Sequence, residues 1–415
     1  MESLNEKKVF RLRLMQGKAP LSNARRVLDL AVIFLAVSVS YCQGASTTDT
    51  LISVARARHG VQGERAAQFL VDHMPLADRN FLEADFLIEN LELAFAARAE
   101  FPWSATVPEE LFLNDVLPYA VFDEKREPWR QRMYGIAREL VSGSASASEA
   151  VQRLNRDLFN KIEVHYSRER NKPNQSWRES EQLGFASCTG LTIILVQACR
   201  AVGIPARAVG TPMWSNQRGN HTWIEIWDGS WHYTGADEYD PLGLDRGWFS
   251  ADAAAAISDD PKLAIYATTW KKSGLSFPMV WAQENSDVAA INVTDRYASS
   301  SAIDRSYAEL GVRLWERKGG NRIEAQVKIV DADGYLRGEG VTKGSTFDLN
   351  DLARFRIPVG LSGWLEFEQG GEIRVSSLDP QPSGTTTYDY FWSELTPVRS
   401  TSTTADRSTL NRPLD

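Results

Sequence analysis

The sequence predicts an α+β protein with three successive parts: a helical N-terminal region, a mixed helix-and-strand core and a C-terminal β-sandwich. Three observations lead to this prediction. Apolar residues recur at helical spacing up to about residue 175, an apolar helix is followed by alternating strands in the middle, and short strands with frequent turns begin near residue 305. The 415 residues are enough for two or three domains.

The segment boundaries follow changes in composition along the chain. We expect an export signal or membrane anchor over 1–45, a helical region over 46–150, the core over 151–300, a β-sandwich over 305–395 and a disordered tail over 396–415. The tail is rich in Ser and Thr, which disfavours a packed core.

Composition excludes several classes of protein. With 43% hydrophobic residues the chain can bury a core, and the net charge of −8 without a basic stripe gives no support for nucleic-acid binding. Three cysteines are too few for a disulfide scaffold, and five histidines are too few for a rich metal site. We therefore expect no metal, no cofactor and no nucleic-acid partner.

The N-terminus has the order of an export signal. Basic residues over 1–26 precede an apolar run over 27–39 and then the small-residue segment SYCQGAS. The run is shorter than the ~20 residues of a stable membrane span. Cleavage, lipidation at Cys42 and an uncleaved membrane anchor all remain open, and each predicts an extracytoplasmic location for the rest of the chain.

The region before the core predicts amphipathic helices. EADFLIENLELAFAARAEF and EAVQRLNRDLFNKI both repeat apolar residues at helical spacing, and SGSASAS (142–148) separates them as a polar linker. After an Asn-, Pro- and Ser-rich loop over 171–187, CTGLTIILVQACRAV predicts a buried helix. NHTWIEIWDGSWHYTGA predicts two strands joined around Asp228-Gly229.

Cys188 and His221 are the candidate catalytic pair. Cys188 follows a loop and opens the buried helix, where the positive end of the helix dipole stabilises a thiolate and backbone N–H groups can hold an oxyanion. A nucleophilic thiol needs a base, and His221 begins the first strand of the hairpin. We expect Cys199, three helical turns further on, to be a core residue.

The third member of the site depends on the hairpin register. A two-residue turn at Asp228-Gly229 makes Glu238 a diagonal neighbour of His221, on the same face of the ribbon. A three-residue turn shifts the pairing by one and makes Asp237 face His221 directly. Glu238 is the first choice and Asp237 is the alternative.

These residues resemble the transglutaminase-like (papain-like cysteine) superfamily. The resemblance covers about 171–249 and lies in ASCTGLTIILVQACRAVGIPARAVG and NHTWIEIWDGSWHYTGADEYDP. It is closest to bacterial transglutaminase-domain proteins, whose pattern places its Glu on Glu238. Many members instead carry an Asp four residues after the last Trp of the hairpin, a position that is Gly235 here.

The resemblance implies a papain-like core and acyl transfer at a peptide or carboxamide carbonyl through a thioester on Cys188. It also suggests Gln182 as a candidate oxyanion donor, because its spacing to Cys188 is similar to that in papain-like proteases. Trp177 is an alternative indole donor, and Trp177 and Trp223 are candidate substrate-binding residues.

Two functions from different classes therefore follow from the sequence. The first is a cysteine hydrolase or acyltransferase that acts on a peptide or protein substrate, with hydrolysis favoured over cross-linking because no lysine-binding feature is visible. The alternative is a catalytically silent scaffold that binds protein or glycan. The intact Cys188 and His221 pair favours the first, because a scaffold does not need it.

Overall fold

The computed structural model describes residues 46–299, 307–347, 351–381 and 384–398. The expected export signal and all of the expected tail beyond residue 398 lie outside these ranges. Within them, no helix combines the length and apolarity that a membrane crossing requires.

The first third of the described chain is helical. The helices are α1 (Thr47–His73), α2 (Leu76–Phe81), α3 (Ala84–Glu100), α4 (Pro102–Ala105), α5 (Glu109–Leu111), a π-helical turn (Phe112–Val116), α6 (Arg130–Leu140) and α7 (Ala147–Ile162). The side chain of Ser46 caps α1, and that of Ser146, inside the predicted linker, caps α7. Part of the polar linker is therefore a helix start.

The middle of the chain contains a five-stranded antiparallel sheet, formed by β3 to β7, with a buried helix against it. Its elements are β1 (His165–Tyr166), α8 (Trp177–Leu183), β2 (Phe185–Ala186), α9 (Cys188–Ala201), β3 (Ala206–Thr211), β4 (His221–Trp227), β5 (Trp231–Thr234), α10 (Ser250–Ala254), β6 (Tyr266–Thr268), β7 (Ala290–Asn292) and α11 (Thr294–Ser299). The sheet order is β5-β4-β3-β6-β7. Every residue of α9 after Cys188 is buried, as its apolar composition predicts.

The C-terminal part consists of two sheets packed face to face. Its strands are β8 (Tyr307–Trp315), β9 (Gln326–Asp331), β10 (Leu336–Val341), β11 (Ala353–Pro358), β12 (Gly363–Gln369), β13 (Glu372–Leu378), β14 (Gly384–Phe391) and β15 (Thr396–Pro397). One sheet has the order β10-β9-β12-β13-β15 and the other β11-β8-β14. Alternating residues from both, such as Val327 and Val312, meet in one buried cluster. Thr396–Pro397, which the sequence assigns to the tail, pairs with β13.

The hairpin register differs from the first expectation. Trp227 pairs with Trp231, so the loop has three residues and the two-residue turn was wrong. The Asp228 carboxylate accepts a hydrogen bond from the Ser148 N–H at 3.0 Å, and the two Trp rings pack edge to face at 5.7 Å. The longer turn is favoured by the packing of the loop against the start of α7 and by this cross-strand pair.

Candidate active site

The thiol of Cys188 lies at the start of α9 because Ser187 caps that helix. The Ser187 hydroxyl accepts a hydrogen bond from the Gly190 N–H at 3.1 Å and donates one to the Pro173 carbonyl at 2.6 Å. One side chain therefore fixes both the helix start and the preceding loop. Cys188 is partly exposed, whereas Cys199, on the same helix, is fully buried.

Gly190 lets the segment before α9 approach the helix closely. A Cβ at this position would lie 2.9 Å from the Ala186 Cβ and 3.7 Å from the Gln175 Cβ. Gln175 is fully buried, and its amide donates to the Phe185 carbonyl at 3.0 Å. Gln175 is thus a buried glutamine beside the start of α9, which the spacing argument from Cys188 missed.

His221 begins β4 next to the start of α9. The hydroxyls of Thr189 and Thr222, each one residue after the candidate catalytic pair, are hydrogen-bonded at 3.1 Å. This contact joins the helix start that carries Cys188 to the strand start that carries His221. The structure therefore brings the two predicted residues into one region.

Aromatic rings enclose the imidazole of His221, which is only 4% exposed. Ring centroids of Trp248, Phe249, Trp223 and Trp214 lie 4.6, 5.0, 5.7 and 6.1 Å from it. Burial in this cage, and secondly the positive charge of Arg354, lower the pKa of His221 to about 3. The imidazole is therefore neutral at pH 7 and, while nothing compensates a positive charge beside it, a weaker base than an ordinary histidine.

Glu238 occupies the space that a side chain at Gly235 would fill. A Cβ at position 235 would overlap the Glu238 carboxylate. The Trp248 indole donates a hydrogen bond to that carboxylate, and burial raises its pKa to about 7. Trp248 therefore contacts both His221 and Glu238.

Two buried polar atoms near Trp248 have no hydrogen-bond partner among the residues that the structure describes. They are Nε2 of His221 and Oε2 of Glu238. A ring nitrogen that gains a proton and a carboxylate oxygen are complementary groups, and leaving either one unpaired in a buried site is costly.

Asp237 lies in a different environment. Its backbone has a φ of 63°, in the left-handed region, and its N–H donates to the Asn155 side chain at 2.9 Å. Its carboxylate lies 3.0 Å from Nδ1 of His165. The three-residue turn would place Asp237 opposite His221, but β5 ends at Thr234 and the chain turns away before reaching it.

The other predicted residues lie on or beside the same core. Gln182 is exposed on α8 and lines a surface groove with Arg132 and Lys161. Trp177 is fully buried in the hydrophobic core, with the Arg132 guanidinium 4.7 Å from its ring centre. Trp223 is also buried beside His221, and its indole donates to the Tyr297 hydroxyl at 2.8 Å.

The C-terminal sheets reach the surroundings of His221. The Arg354 guanidinium of β11 lies 4.4 Å from the centre of the Trp248 ring. Arg168, shortly after β1, donates to the Phe347 carbonyl at 2.7 Å. Arg354 was missed by sequence reasoning, because nothing in the β-sandwich pattern marks one strand residue as close to the core.

In the described ranges, no group of three or more His, Cys, Asp or Glu side chains is placed to hold a metal ion. His232 instead lies between the Ser230 hydroxyl, 2.9 Å from its Nε2, and the Asp245 carboxylate, 2.6 Å from its Nδ1.

The region of the chain that contains the candidate catalytic pair matches a known protein family. Residues 134–253 match the Transglutaminase-like superfamily, which covers less than a third of the chain. No curated protein matches the chain. Residues 134–253 are thus a transglutaminase-like core, and the predicted fold class is confirmed: helices precede this core and sheets follow it.

The solved structures that the chain matches include two with descriptive names. One is a "Putative Cysteine Protease" from Cytophaga hutchinsonii, with 19% identity over 40% of this chain and 52% of that chain and a TM-score of 0.24. The other is a transglutaminase from red sea bream, with 10% identity over 71% of this chain and 59% of that chain and a TM-score of 0.21. The present chain spans about half the length of the first structure, and neither likeness bears on activity.

Proposed function

We propose that the protein is a cysteine-dependent enzyme that transfers acyl groups from peptide or carboxamide bonds through a thioester. The observation that carries this proposal is the hydrogen bond between Thr189 and Thr222, which joins the start of the helix bearing Cys188 to the start of the strand bearing His221. A thiol at a helix start beside a neutral imidazole is the arrangement that nucleophilic catalysis needs.

The reaction begins with transfer of the thiol proton of Cys188 to the neutral His221. The sulfur attacks the carbonyl carbon, and the carbonyl oxygen becomes an oxyanion. The Ser187 cap takes up the Gly190 N–H, so the other backbone N–H groups at the start of α9, which point towards this end and lack acceptors within the helix, are suited to stabilise that oxyanion. His221 then protonates the leaving amine, the C–N bond breaks and a thioester remains on Cys188.

The aromatic rings around His221 exclude water, so the positively charged imidazolium that forms in this step is destabilised by the cost of desolvation. Glu238 offsets part of this cost through its negative charge when it is ionised, and its Oε2, which is not bonded to His221 in the structure, is the acceptor that we propose for the proton on Nε2. Trp248 holds the carboxylate for this role. We assign Glu238, and not Asp237, as the third member.

Water completes the cycle as the acyl acceptor. His221 takes a proton from the water molecule, the hydroxyl attacks the thioester, and the Cys188 thiolate leaves and regains its proton. We favour hydrolysis over cross-linking on the sequence argument, which finds no lysine-binding feature.

Trapping of the acyl-enzyme tests this proposal. The full chain is incubated with a peptide library, quenched in acid and analysed by intact mass and peptide mapping. We expect a mass increase on Cys188 that Cys188→Ala removes and that the buried control Cys199→Ala retains. Peptide binding without any adduct, and without turnover, would support the scaffold function instead.

A further inference from the structure

Asn155 of α7 is a buried polar residue on a helix face that is otherwise apolar. Its side chain belongs to a residue that is only 2% exposed, and the other buried residues of this helix are all apolar. A polar group in such a place is costly unless its hydrogen bonds are made. The partners of its amide therefore show what the side chain does there.

The amide of Asn155 is bonded to the turn that follows β5. Its Nδ2 donates to the Thr234 hydroxyl at 3.1 Å and to the Gly235 carbonyl at 2.8 Å, and its Oδ1 accepts from the Asp237 N–H at 2.9 Å. Because β5 lies at the edge of its sheet and ends at Thr234, the strand ladder does not supply partners for Gly235 and Asp237. The side-chain amide takes the place that a peptide group of a neighbouring strand would have.

The backbone of Asp237 needs such a contact to keep its conformation. Its φ of 63° lies in the left-handed region, which is disfavoured for a residue with a Cβ. The Asp237 carboxylate also lies 3.0 Å from Nδ1 of His165, but the His165 side chain is 51% exposed and exposed pairs contribute little. The buried bond to Asn155 is therefore the main contact that fixes this residue.

Glu238 follows this turn directly, and its carboxylate folds back into the space beside Gly235. The turn that Asn155 fixes thus determines where the carboxylate lies. Beyond Glu238, the chain is held by the same helix, since Gln152 of α7 donates to the Asp240 carbonyl at 3.1 Å. Side chains one helical turn apart on α7 therefore hold the backbone on both sides of Glu238.

We infer that Asn155 is a positioning residue of the active site, which holds the turn after β5 so that the Glu238 carboxylate lies against Trp248. This inference rests on the proposed function, since the carboxylate acts there as the support of the His221 imidazolium. It gives a part in the reaction to α7, a helix that the sequence predicts only from its apolar face.

A double-mutant cycle on the full chain tests whether Asn155 acts through Glu238. The rate at which iodoacetamide alkylates Cys188 is measured at pH 7 in the native protein, in Asn155→Leu, in Glu238→Gln and in the variant with both changes. Leu is similar to Asn in shape but forms no hydrogen bond. Asn160→Leu, at an exposed position of the same helix, is the control. The buried Cys199 should stay unmodified in every protein that is folded.

We expect Glu238→Gln and Asn155→Leu each to slow alkylation on the order of tenfold, the effect of one charge-assisted hydrogen bond on the ionised pair. In the Glu238→Gln protein, Asn155→Leu should add almost nothing, because no carboxylate is left to be displaced. At pH 10 a thiol ionises without a base, so all four rates should agree within about twofold. Asn160→Leu should leave the rate at pH 7 unchanged.

Equal slowing by Asn155→Leu with and without the Glu238 carboxylate would overturn the inference, because Asn155 would then support the fold alone. An unchanged rate in Asn155→Leu would overturn it as well. If alkylation of Cys199 shows that this variant is unfolded, Asn155→Ser replaces it in the cycle, since its hydroxyl is too short to reach both ends of the turn.

Failure of the proposed function gives a different result in the same experiment. A native Cys188 that does not react at pH 7 would overturn the proposed function, and a Glu238→Gln protein that reacts as fast as the native one would overturn its third member. Both results are obtained without any variant of Asn155, so the two failures are distinguishable.

Discussion

Gly235 and Glu238 show how the absence of one side chain decides where a carboxylate lies. Glu238 folds back into the space beside Gly235, where a Cβ would overlap its carboxylate. The Trp248 indole then holds the carboxylate next to the rings that enclose His221. A carboxylate thus reaches the space beside Gly235 from three residues further along the chain.

Gly235→Ala tests this arrangement without changing any proposed catalytic group. The added methyl should displace the Glu238 carboxylate and lower kcat/KM on the order of tenfold or more, because the imidazolium loses its support. Activity of the purified variant measures the effect. Gly135→Ala is the control, since nothing lies within 4 Å of a Cβ there. Full activity in Gly235→Ala would mean that the position of Glu238 does not matter.

The titration of Glu238 gives a prediction about stability. Burial raises its pKa from the ordinary value of 4.5 to about 7, so the folded protein binds a proton over this range that the unfolded chain has lost. The carboxyl group therefore costs stability as the pH rises from 4.5 towards 7. Glu238→Gln removes this cost, and its Tm relative to the native protein should increase between pH 4.5 and pH 8.

Thermal unfolding of both proteins at the two pH values measures this difference. His221 stays neutral in the folded protein at both pH values, because its pKa is lowered to about 3, so its contribution comes from the unfolded chain and is the same in both proteins. A Tm difference that does not vary with pH would show that Glu238 has an ordinary pKa.

At the scale of elements, α9 and the β4–β5 hairpin position the site, and both could be predicted in outline. The buried helix begins at Cys188, as its apolar sequence after Ser187 indicates. The hairpin exists, but its turn has three residues, which is favoured by the contact from Ser148 and by the Trp227–Trp231 pair. The contact from Ser148 comes from a distant part of the chain, so the local sequence does not contain it.

The third member of the site could be assigned only partly from the sequence, because its assignment depends on the hairpin register. The two-residue turn led to Glu238 through a register that does not occur. Asp237 lies beside His165 because the strand ends early and the backbone enters the left-handed region. The role of Glu238 stays a prediction, now on the grounds of its contact with Trp248.

Ser187→Ala tests the cap that holds Cys188 at the start of α9. Loss of the cap should lower the free energy of unfolding by about 1–2 kcal/mol and should also slow alkylation of Cys188 by iodoacetamide. Ser146→Ala is the matched control, because Ser146 caps α7 with a 3.1 Å hydrogen bond from Glu149. Equal effects of the two variants on alkylation would show that the cap acts on stability alone.

At the scale of the whole molecule, residues from several parts of the chain surround the site. Arg354 from the C-terminal sheets contacts Trp248, and Arg200 of α9 joins the helical region to the core. The order of helices, core and sheets could be predicted from sequence periodicity. The contacts between these parts could not, because side chains such as Arg354 and Arg200 meet elements that are far away in the sequence. The domain boundaries remain predictions.

Arg200→Met tests how strongly the helical region is joined to the core. Arg200 is buried and donates to the carbonyls of Asp115, Ala206 and Ala120 at 3.0, 3.0 and 2.7 Å. Met fills a similar volume but leaves these carbonyls without a partner, so we expect a loss of about 3 kcal/mol in the free energy of unfolding by urea. Arg156→Met, at a side chain that is 52% exposed, should change the free energy of unfolding little. Equal stability of the two variants would contradict this account.

The most direct test of the central claim is the rate at which iodoacetamide alkylates Cys188 at pH 6 in the native protein and in His221→Asn. The claim is that the thiol and the imidazole act as one unit. We expect Cys188 of the native protein to react well below pH 8.5, the region of an ordinary thiol, and the folded variant to react on the order of tenfold more slowly. Equal rates in the two proteins, or an inert Cys188 in the native one, would contradict it.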